Sequence, residues 1–158
     1  MADASVTIAD IESARDALQG KVVRTPTIQS VSLSEKIGVP VYLKLEHRQT
    51  TGSFKLRGAT NALNRLSAAE KQRGVIAAST GNHGRALAYA AHLEGVRAVI
   101  CMSRLVPQNK VDEIRRLGAE ICIIGRSQDD AQEEVDRLVR DKGLTMIPPF
   151  DTAAVIAG

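Results

Sequence analysis

A lysine in the segment TGSFKLRG, from Thr51 to Gly58, is the first residue that could do chemistry. The apolar spacing predicts a helix over Ser53 to Leu66, which places Lys55 in its first turn. The positive end of a helix dipole disfavours an ammonium there, and a neutral amine is the form that attacks a carbonyl carbon to give a Schiff base. The alternative interpretation of this segment taken alone is a solvated surface lysine.

A second segment, STGNHG from Ser79 to Gly84, lies between an apolar run and a predicted helix. Backbone N–H groups at a helix N-terminus bind carboxylates and phosphates. Open α/β sheets also place their ligands at the carboxyl ends of strands. The alternative is an ordinary strand-to-helix turn in which Ser79 or Asn82 serves only as a helix cap.

Apolar runs alternate with amphipathic helices from residue 73 onward. We expect strands near 75–78, 98–102, 120–124 and 144–147. The first helix between them is predicted over His83 to Glu94. The second begins with Pro107 in a first-turn position and ends at Gly118. The third begins after a Ser127 cap and runs to about Asp141, and Gly143 ends it. This alternation is typical of βαβ units and predicts a parallel sheet with helices on both faces.

The first part of the chain has a different pattern. Helices are predicted over Ile8 to Leu18 and over Ser53 to Leu66, with a strand over Val41 to Leu45 between them. Because so few strands cannot close a core, we expect its apolar positions to be partly exposed: Ile8, Ile11, Leu18, Val41, Leu43 and Leu45.

The composition is that of an ordinary globular protein, with 44% hydrophobic and 25% charged residues and a net charge of +3. Basic residues are interleaved with acidic ones, which argues against nucleic-acid binding. Cys101 and Cys122 each lie in an apolar run without metal-ligand spacing, so we expect two buried thiols that act as small hydrophobic side chains, and no metal. The lack of a signal peptide or of a ~20-residue apolar span predicts a cytoplasmic protein without membrane contact.

Three segments together carry a family resemblance: KLEHRQTTGSFKLRGA, STGNHG and VPQNKVDEIRRLGAEI. They resemble the fold-type II enzymes that depend on pyridoxal 5'-phosphate (PLP), in the branch of threonine dehydratases and serine racemases. The resemblance runs from about Arg24 to Gly158. It implies a tryptophan-synthase-β-like α/β fold with an open parallel sheet. The segments GNHGRALAYAA and MSRLVPQNKVDEIRRLGAEI are most similar to hydroxyectoine-utilisation dehydratases.

The resemblance implies three residues that contact the cofactor. Lys55 would hold PLP as a Schiff base and later move the substrate α-proton. Phe54 would pack near the cofactor, and Asn82 would hydrogen-bond the phenolic oxygen of its ring.

The same resemblance implies a substrate site and a reaction. Ser79, Thr80 and the backbone around His83 would hold the carboxylate of an amino acid, while the His83 imidazole would be structural. The implied enzyme is an ammonia-lyase (dehydratase) that removes the β-hydroxyl of threonine or serine-like substrates, acting as a homodimer. Two alternatives stay open. A racemase could use the Thr80 hydroxyl to reprotonate the opposite face, and a non-catalytic regulatory module would have no need of Lys55 and Asn82.

The resemblance also implies a domain organisation. Residues 1–72 would begin a large PLP domain that includes the Lys55 helix, 73–148 would form a small α/β domain, and 149–158 would return to the large domain. The family's glycine-rich phosphate loop and its partner for the pyridine nitrogen are not found, and no two of the 12 glycines are adjacent. We therefore expect the chain to be about half of a catalytic unit and an inactive fragment by itself.

Overall fold

The computed structural model describes residues 5–158, which form a four-stranded sheet, a two-stranded antiparallel sheet and eight α-helices. The strands are β1 Thr27–Gln29, β2 Tyr42–Lys44, β3 Val75–Ala78, β4 Ala98–Met102, β5 Glu120–Ile123 and β6 Thr145–Met146. The helices are α1 Ile8–Ala17, α2 Val31–Ile37, α3 Lys55–Asn64, α4 Ala68–Arg73, α5 Asn82–Leu93, α6 Gln108–Arg116, α7 Gln128–Lys142 and α8 Ala153–Ala157. A short 3-10 turn covers Glu46–Arg48.

The four-stranded sheet confirms the predicted parallel arrangement. Its strand order is β5-β4-β3-β6, and every neighbouring pair is parallel. All four strands lie within the ranges expected from the sequence. Because parallel strands end at the same edge of a sheet, the carboxyl end of β3 and the turn after it lie at a ligand-binding position.

Helices cover both faces of this sheet, also as predicted. Along β3, Val75 and Ala77 face the cluster that contains α3, α5 and α6, whereas Ile76 and Ala78 face α7. All four side chains are buried. A strand buried on both faces reads as a continuous apolar run, which is why the sequence showed it so clearly.

Caps set the ends of α6 and α7. Ser127 and Asp130 form a capping box at the start of α7, and Gly143 ends it in a left-handed conformation at φ 65°. The predicted position of Pro107 was wrong by one residue. It is the N-cap of α6, with an extended ψ of 139°, and the helix begins at Gln108.

The first part of the chain is more structured than its sequence indicated. The predicted strand at 41–45 is present as β2, but it pairs antiparallel with β1, which the sequence did not show, and α2 connects the two. Strands of three residues are too short to produce a recognisable alternation. Helices α4 and α8 were missed for the same reason.

The expected exposure of this part is confirmed for most positions. Ile8, Ile11 and Leu43 are exposed, while Val41 and Leu45 are half-buried. The expected exposure was wrong for Leu18, because only 5% of its surface is exposed. It follows α1, which packs against α3 and α8, so this end of the helix is covered.

Helix α3 joins the two parts of the chain. Its Leu56, Ala59 and Leu63 are buried in the same cluster as β3 and α5. The proposed domain boundary at residue 72 stays a prediction. Within the described part of the chain, no helix has both the length and the apolar character needed to cross a bilayer.

Candidate functional site

Lys55 lies in the first turn of α3, as the sequence predicted, and the helix begins at this residue rather than at Ser53. Phe54 occupies the N-cap position without a side-chain cap, and the Lys55 N–H donates to Ser53 Oγ at 3.4 Å. The helix N-terminus therefore lies directly beneath the lysine side chain.

Two polar networks fix the loop that leads into this helix. The Arg57 guanidinium donates to both carboxylate oxygens of Glu46, at 3.0 and 2.8 Å. This pair holds the pKa of the Glu46 carboxyl below its usual value, chiefly through the hydrogen bond from Arg57. Buried Gln49 pairs with the backbone of Val23, accepting at 2.8 Å and donating at 2.9 Å. The start of α3 is thus anchored on both sides of Lys55.

The Lys55 amine lies between two aromatic rings. Nζ donates to the Pro149 carbonyl oxygen at 2.5 Å and lies 5.3 Å from the Phe54 ring centroid and 5.5 Å from that of Phe150. Among residues 5–158 it takes part in no ion pair. Lys55, both rings and Pro149 line a cavity of about 250 Å³. Within the described part of the chain, the amine therefore contacts a backbone carbonyl and two rings but no carboxylate.

The turn after β3 is organised by Ser79. Its hydroxyl oxygen accepts from the N–H of Gly84 at 2.9 Å and from that of Gly81 at 3.4 Å. Helix α5 then begins at Asn82, so the N–H groups of Asn82 and His83 are at the helix start, where no partner exists within the helix. Ser79 therefore accepts hydrogen bonds from the backbone at the helix start, which is the capping role that the alternative interpretation gave it. Its hydroxyl hydrogen can still be donated to a ligand.

Asn82 is held in one orientation by Arg85. The Arg85 guanidinium donates to Asn82 Oδ1 and, at 2.8 Å, to Glu113 Oε1. Because a guanidinium has only donors, the atom that faces it must be the amide oxygen, and Nδ2 is left to donate elsewhere. Asn82 and Thr80 line a cavity of about 280 Å³ together with these two side chains.

His83 is buried, with 4% of its surface exposed. Its Nε2 hydrogen-bonds the Ile147 carbonyl oxygen at 2.8 Å, so Nε2 carries the proton, while Nδ1 has no partner among the described residues. Burial lowers the pKa of the imidazole, and the Lys55 charge adds to this effect. A buried, neutral ring bonded to backbone favours the structural interpretation over an acid or base.

The structure brings some of the candidate residues together and separates others. Lys55 and His83 hydrogen-bond the carbonyl oxygens of Pro149 and Ile147, respectively, which belong to one backbone segment. Asn82 and Thr80 line a different cavity from the one that contains Lys55. A wider cleft of about 670 Å³ along α7 contains none of the candidate residues.

Four further residues of the site were not identified from the sequence. Pro149 and Phe150 lie beside Lys55, Arg85 orients Asn82, and buried Asn61 donates to the Ala154 carbonyl oxygen at 2.6 Å. Asn61 lies in α3 among other polar residues, so the sequence carried no distinct signal for it. The other three depend on tertiary contacts.

The donors present fit the ring of PLP. The Lys55 amine, which lies near two aromatic rings and in no ion pair of the described residues, is suited to react with the aldehyde of PLP. Asn82 Nδ2 donates to none of the residues that the structure describes, and it is suited to a phenolic oxygen. The first N–H groups of α5 suit a carboxylate.

Comparisons with known proteins identify the family of this chain. The model of the family described as "Pyridoxal-phosphate dependent enzyme" matches residues 18–158. A provisionally named threonine dehydratase of Sinorhizobium fredii is 62% identical over 154 residues, which is 98% of this chain and 46% of that protein. The L-threonine ammonia-lyase of Thermotoga maritima is 42% identical over 153 residues, 97% of this chain and 38% of that one. The chain thus spans less than half the length of these relatives.

A solved structure shows the same fold. The serine racemase of Dictyostelium discoideum superposes with a TM-score of 0.91 at 33% sequence identity, covering 97% of this chain and 50% of that one. Because the family model matches residues 18–158 of the chain, the chain belongs to the pyridoxal-phosphate dependent enzymes.

Proposed function

We propose that these residues form the Lys55-bearing part of an ammonia-lyase that converts a β-hydroxy amino acid of the threonine or serine type to a 2-oxo acid and ammonia. The observation that carries this proposal is the Lys55 amine, which lies between two aromatic rings and outside any ion pair of the described residues. The similarity to threonine dehydratases supports the choice of reaction.

Lys55 has two tasks in this proposal. Its Nζ would hold the cofactor covalently, and the same Nζ would take the proton from the substrate α-carbon. Bound PLP supplies an electron sink for the negative charge left on that carbon. The Pro149 carbonyl and the Phe54 and Phe150 rings keep the amine oriented while it does so.

Asn82 contributes to cofactor orientation. Its Oδ1 accepts from Arg85, so Nδ2 would be the atom that donates to the phenolic oxygen of the cofactor ring. Phe54, whose ring is 59% exposed, packs beside the cofactor. Orientation of this kind supplies much of the rate of a bound reactant.

The turn after β3 receives the substrate carboxylate. The N–H groups at the start of α5 and the hydroxyl groups of Ser79 and Thr80 supply donors, and the helix dipole favours the negative charge. His83 takes part through its backbone, since its imidazole is committed to Ile147. With the carboxylate fixed, the α-proton is directed toward Lys55.

The finer substrate assignment rests on sequence resemblance alone. We propose a β-hydroxy amino acid formed in hydroxyectoine breakdown as a candidate beside threonine and serine, with catalysis by a cytoplasmic homodimer. Parallel assays of 2-oxo acid release from these substrates would rank them. Equal or greater turnover of threonine would argue against the hydroxyectoine assignment.

Covalent trapping is the direct test of the proposed site. An active preparation loaded with PLP is reduced with borohydride, digested and analysed by mass spectrometry, and we expect the label on the peptide that contains Lys55. Exposed Lys36 provides the control position. A label on another lysine, or 2-oxo acid release that does not require PLP, would refute the assignment.

Racemisation is a second candidate because of Thr80. Thr80 lines the same cavity as Asn82. In this second proposal its hydroxyl would deliver a proton to the face of the substrate opposite Lys55. Chiral chromatography of recovered serine and threonine separates the two activities. Inversion that disappears in Thr80→Ala would establish racemisation, and unchanged enantiomers would eliminate it.

A further inference from the structure

The two cysteines of the chain are neighbours in the sheet. Cys101 of β4 is directly paired in register with Cys122 of β5. The sequence predicted two buried thiols, which is confirmed for Cys101 but wrong for Cys122, because Cys122 is half-buried on an edge strand. Their spacing in the sequence does not show which strands lie side by side.

The pairing geometry is compatible with a covalent bond. Neighbouring strands lie about 4.8 Å apart, and the Cα atoms of disulfide-bonded cysteines are roughly 4.4–6.8 Å apart. Both side chains project toward α7, in the cluster that holds Ile76 and Val99.

The two thiols differ in access. Cys101 is fully buried, whereas Cys122 is half-buried on β5, the edge strand of this sheet in the described part of the chain. Burial, together with the neighbouring Cys122, raises the pKa of the Cys101 thiol to about 12. Cys122 is therefore the thiol that a small reagent reaches first.

We propose that Cys101 and Cys122 form a dithiol modification site that a small two-electron oxidant, such as a peroxide, converts to a cross-strand disulfide. This proposal does not depend on the lyase reaction.

The chemistry is balanced with hydrogen peroxide as the oxidant. The Cys122 sulfur attacks one peroxide oxygen, the O–O bond breaks, and one water leaves, which produces a sulfenic acid on Cys122. The Cys101 sulfur then attacks the Cys122 sulfur, the S–S bond forms, the S–O bond breaks, and a second water leaves. The two thiols lose two electrons and two hydrogens, and the peroxide is reduced to water.

The dithiol lies close to the candidate site. The Cys101 carbonyl oxygen accepts from the Ser79 N–H at 3.0 Å, at the start of the turn proposed to bind the substrate carboxylate. A crosslink would therefore join β5 to the strand that supports this turn.

The test is oxidation of the full chain with hydrogen peroxide at low protein concentration. We expect loss of both titratable thiols, a non-reduced peptide that joins residues 101 and 122, and recovery of both thiols with dithiothreitol. Cys122→Ser, a change at a half-buried edge position, should remain folded and keep its Cys101 thiol unreacted under the same treatment.

Three results would overturn the proposal. The first is two free thiols after treatment, and the second is sulfinic acid on Cys122 with Cys101 still reduced. The third is a disulfide between chains, seen as a dimer on a non-reducing gel. Far-UV circular dichroism before oxidation ensures that the thiols are compared in folded protein.

Discussion

Lys55 and His83 hydrogen-bond carbonyl groups that are two residues apart on one backbone segment. Lys55 Nζ donates to Pro149 O at 2.5 Å, and His83 Nε2 donates to Ile147 O at 2.8 Å. Residues that are 28 positions apart in the sequence are thereby brought to the same segment. The chain after β6 thus connects the start of α3 with the start of α5.

Replacing Lys55 should abolish turnover in an active preparation. Lys55→Ala removes the amine that carries the cofactor and moves the α-proton, and we expect a loss of about 10⁴-fold or more, as for other catalytic nucleophiles. Lys55→Arg should fail nearly as badly, since a guanidinium remains charged and is a poor nucleophile. Initial rates of 2-oxo acid formation, with Lys36→Ala as the control, provide the measurement. Near-parental rates in either Lys55 variant would contradict the assignment.

His83 should make the fold sensitive to mild acid. Its folded pKa is depressed from 6.5 by burial, so the native ring stays neutral while the unfolded ring binds a proton as the pH falls below 6.5. Stability contributed by the neutral ring is complete above pH 6.5 and falls below it, by up to about 1.4 kcal/mol per pH unit. The loss levels off below the folded pKa.

Denaturant unfolding between neutral and mildly acidic pH tests this linkage. His83→Gln keeps a donor for Ile147 but cannot titrate, so its stability should depend less on pH in this window. Exposed His47→Gln should retain the parental dependence. An unchanged slope in His83→Gln would show that other groups cause the acid sensitivity.

Gly58 should be intolerant of any side chain. A Cβ at this position would lie 2.6 Å from the Val155 carbonyl oxygen and 3.0 Å from its Cγ1, so α8 would have to move away from α3. We expect Gly58→Ala to lower the free energy of unfolding by about 1–3 kcal/mol. At Gly84 the same change meets only side-chain atoms, the nearest at 3.1 Å, and these can adjust. Equal losses for the two variants in urea titrations would contradict this packing.

The 158-residue chain should bind PLP weakly. A dianionic phosphate requires several converging donors, and no glycine-rich loop of the family type is present in this sequence. We expect an absorbance titration without stoichiometric saturation and no measurable 2-oxo acid from threonine or serine. Tight binding with steady turnover would show that phosphate donors exist elsewhere in these residues.

The sequence alone determined the parallel sheet and its helices. Strands such as β3, buried on both faces, produce continuous apolar runs, and Ser127 and Gly143 carry local capping signals, so each could be recognised from neighbouring residues. Lys55 at a helix start and the turn from Ser79 to Gly84 were identified in the same way. These features depend on interactions within a few residues of the chain.

Only the tertiary structure decided which distant groups meet. The contact of Lys55 with Pro149 and Phe150, and the pairing of Cys101 with Cys122, depend on strand order and register. Strand β1 gave no pattern because three exposed residues, held by pairing with β2, carry no periodicity of their own. Long-range packing selects these contacts, and local propensity has no information about which segments will be neighbours.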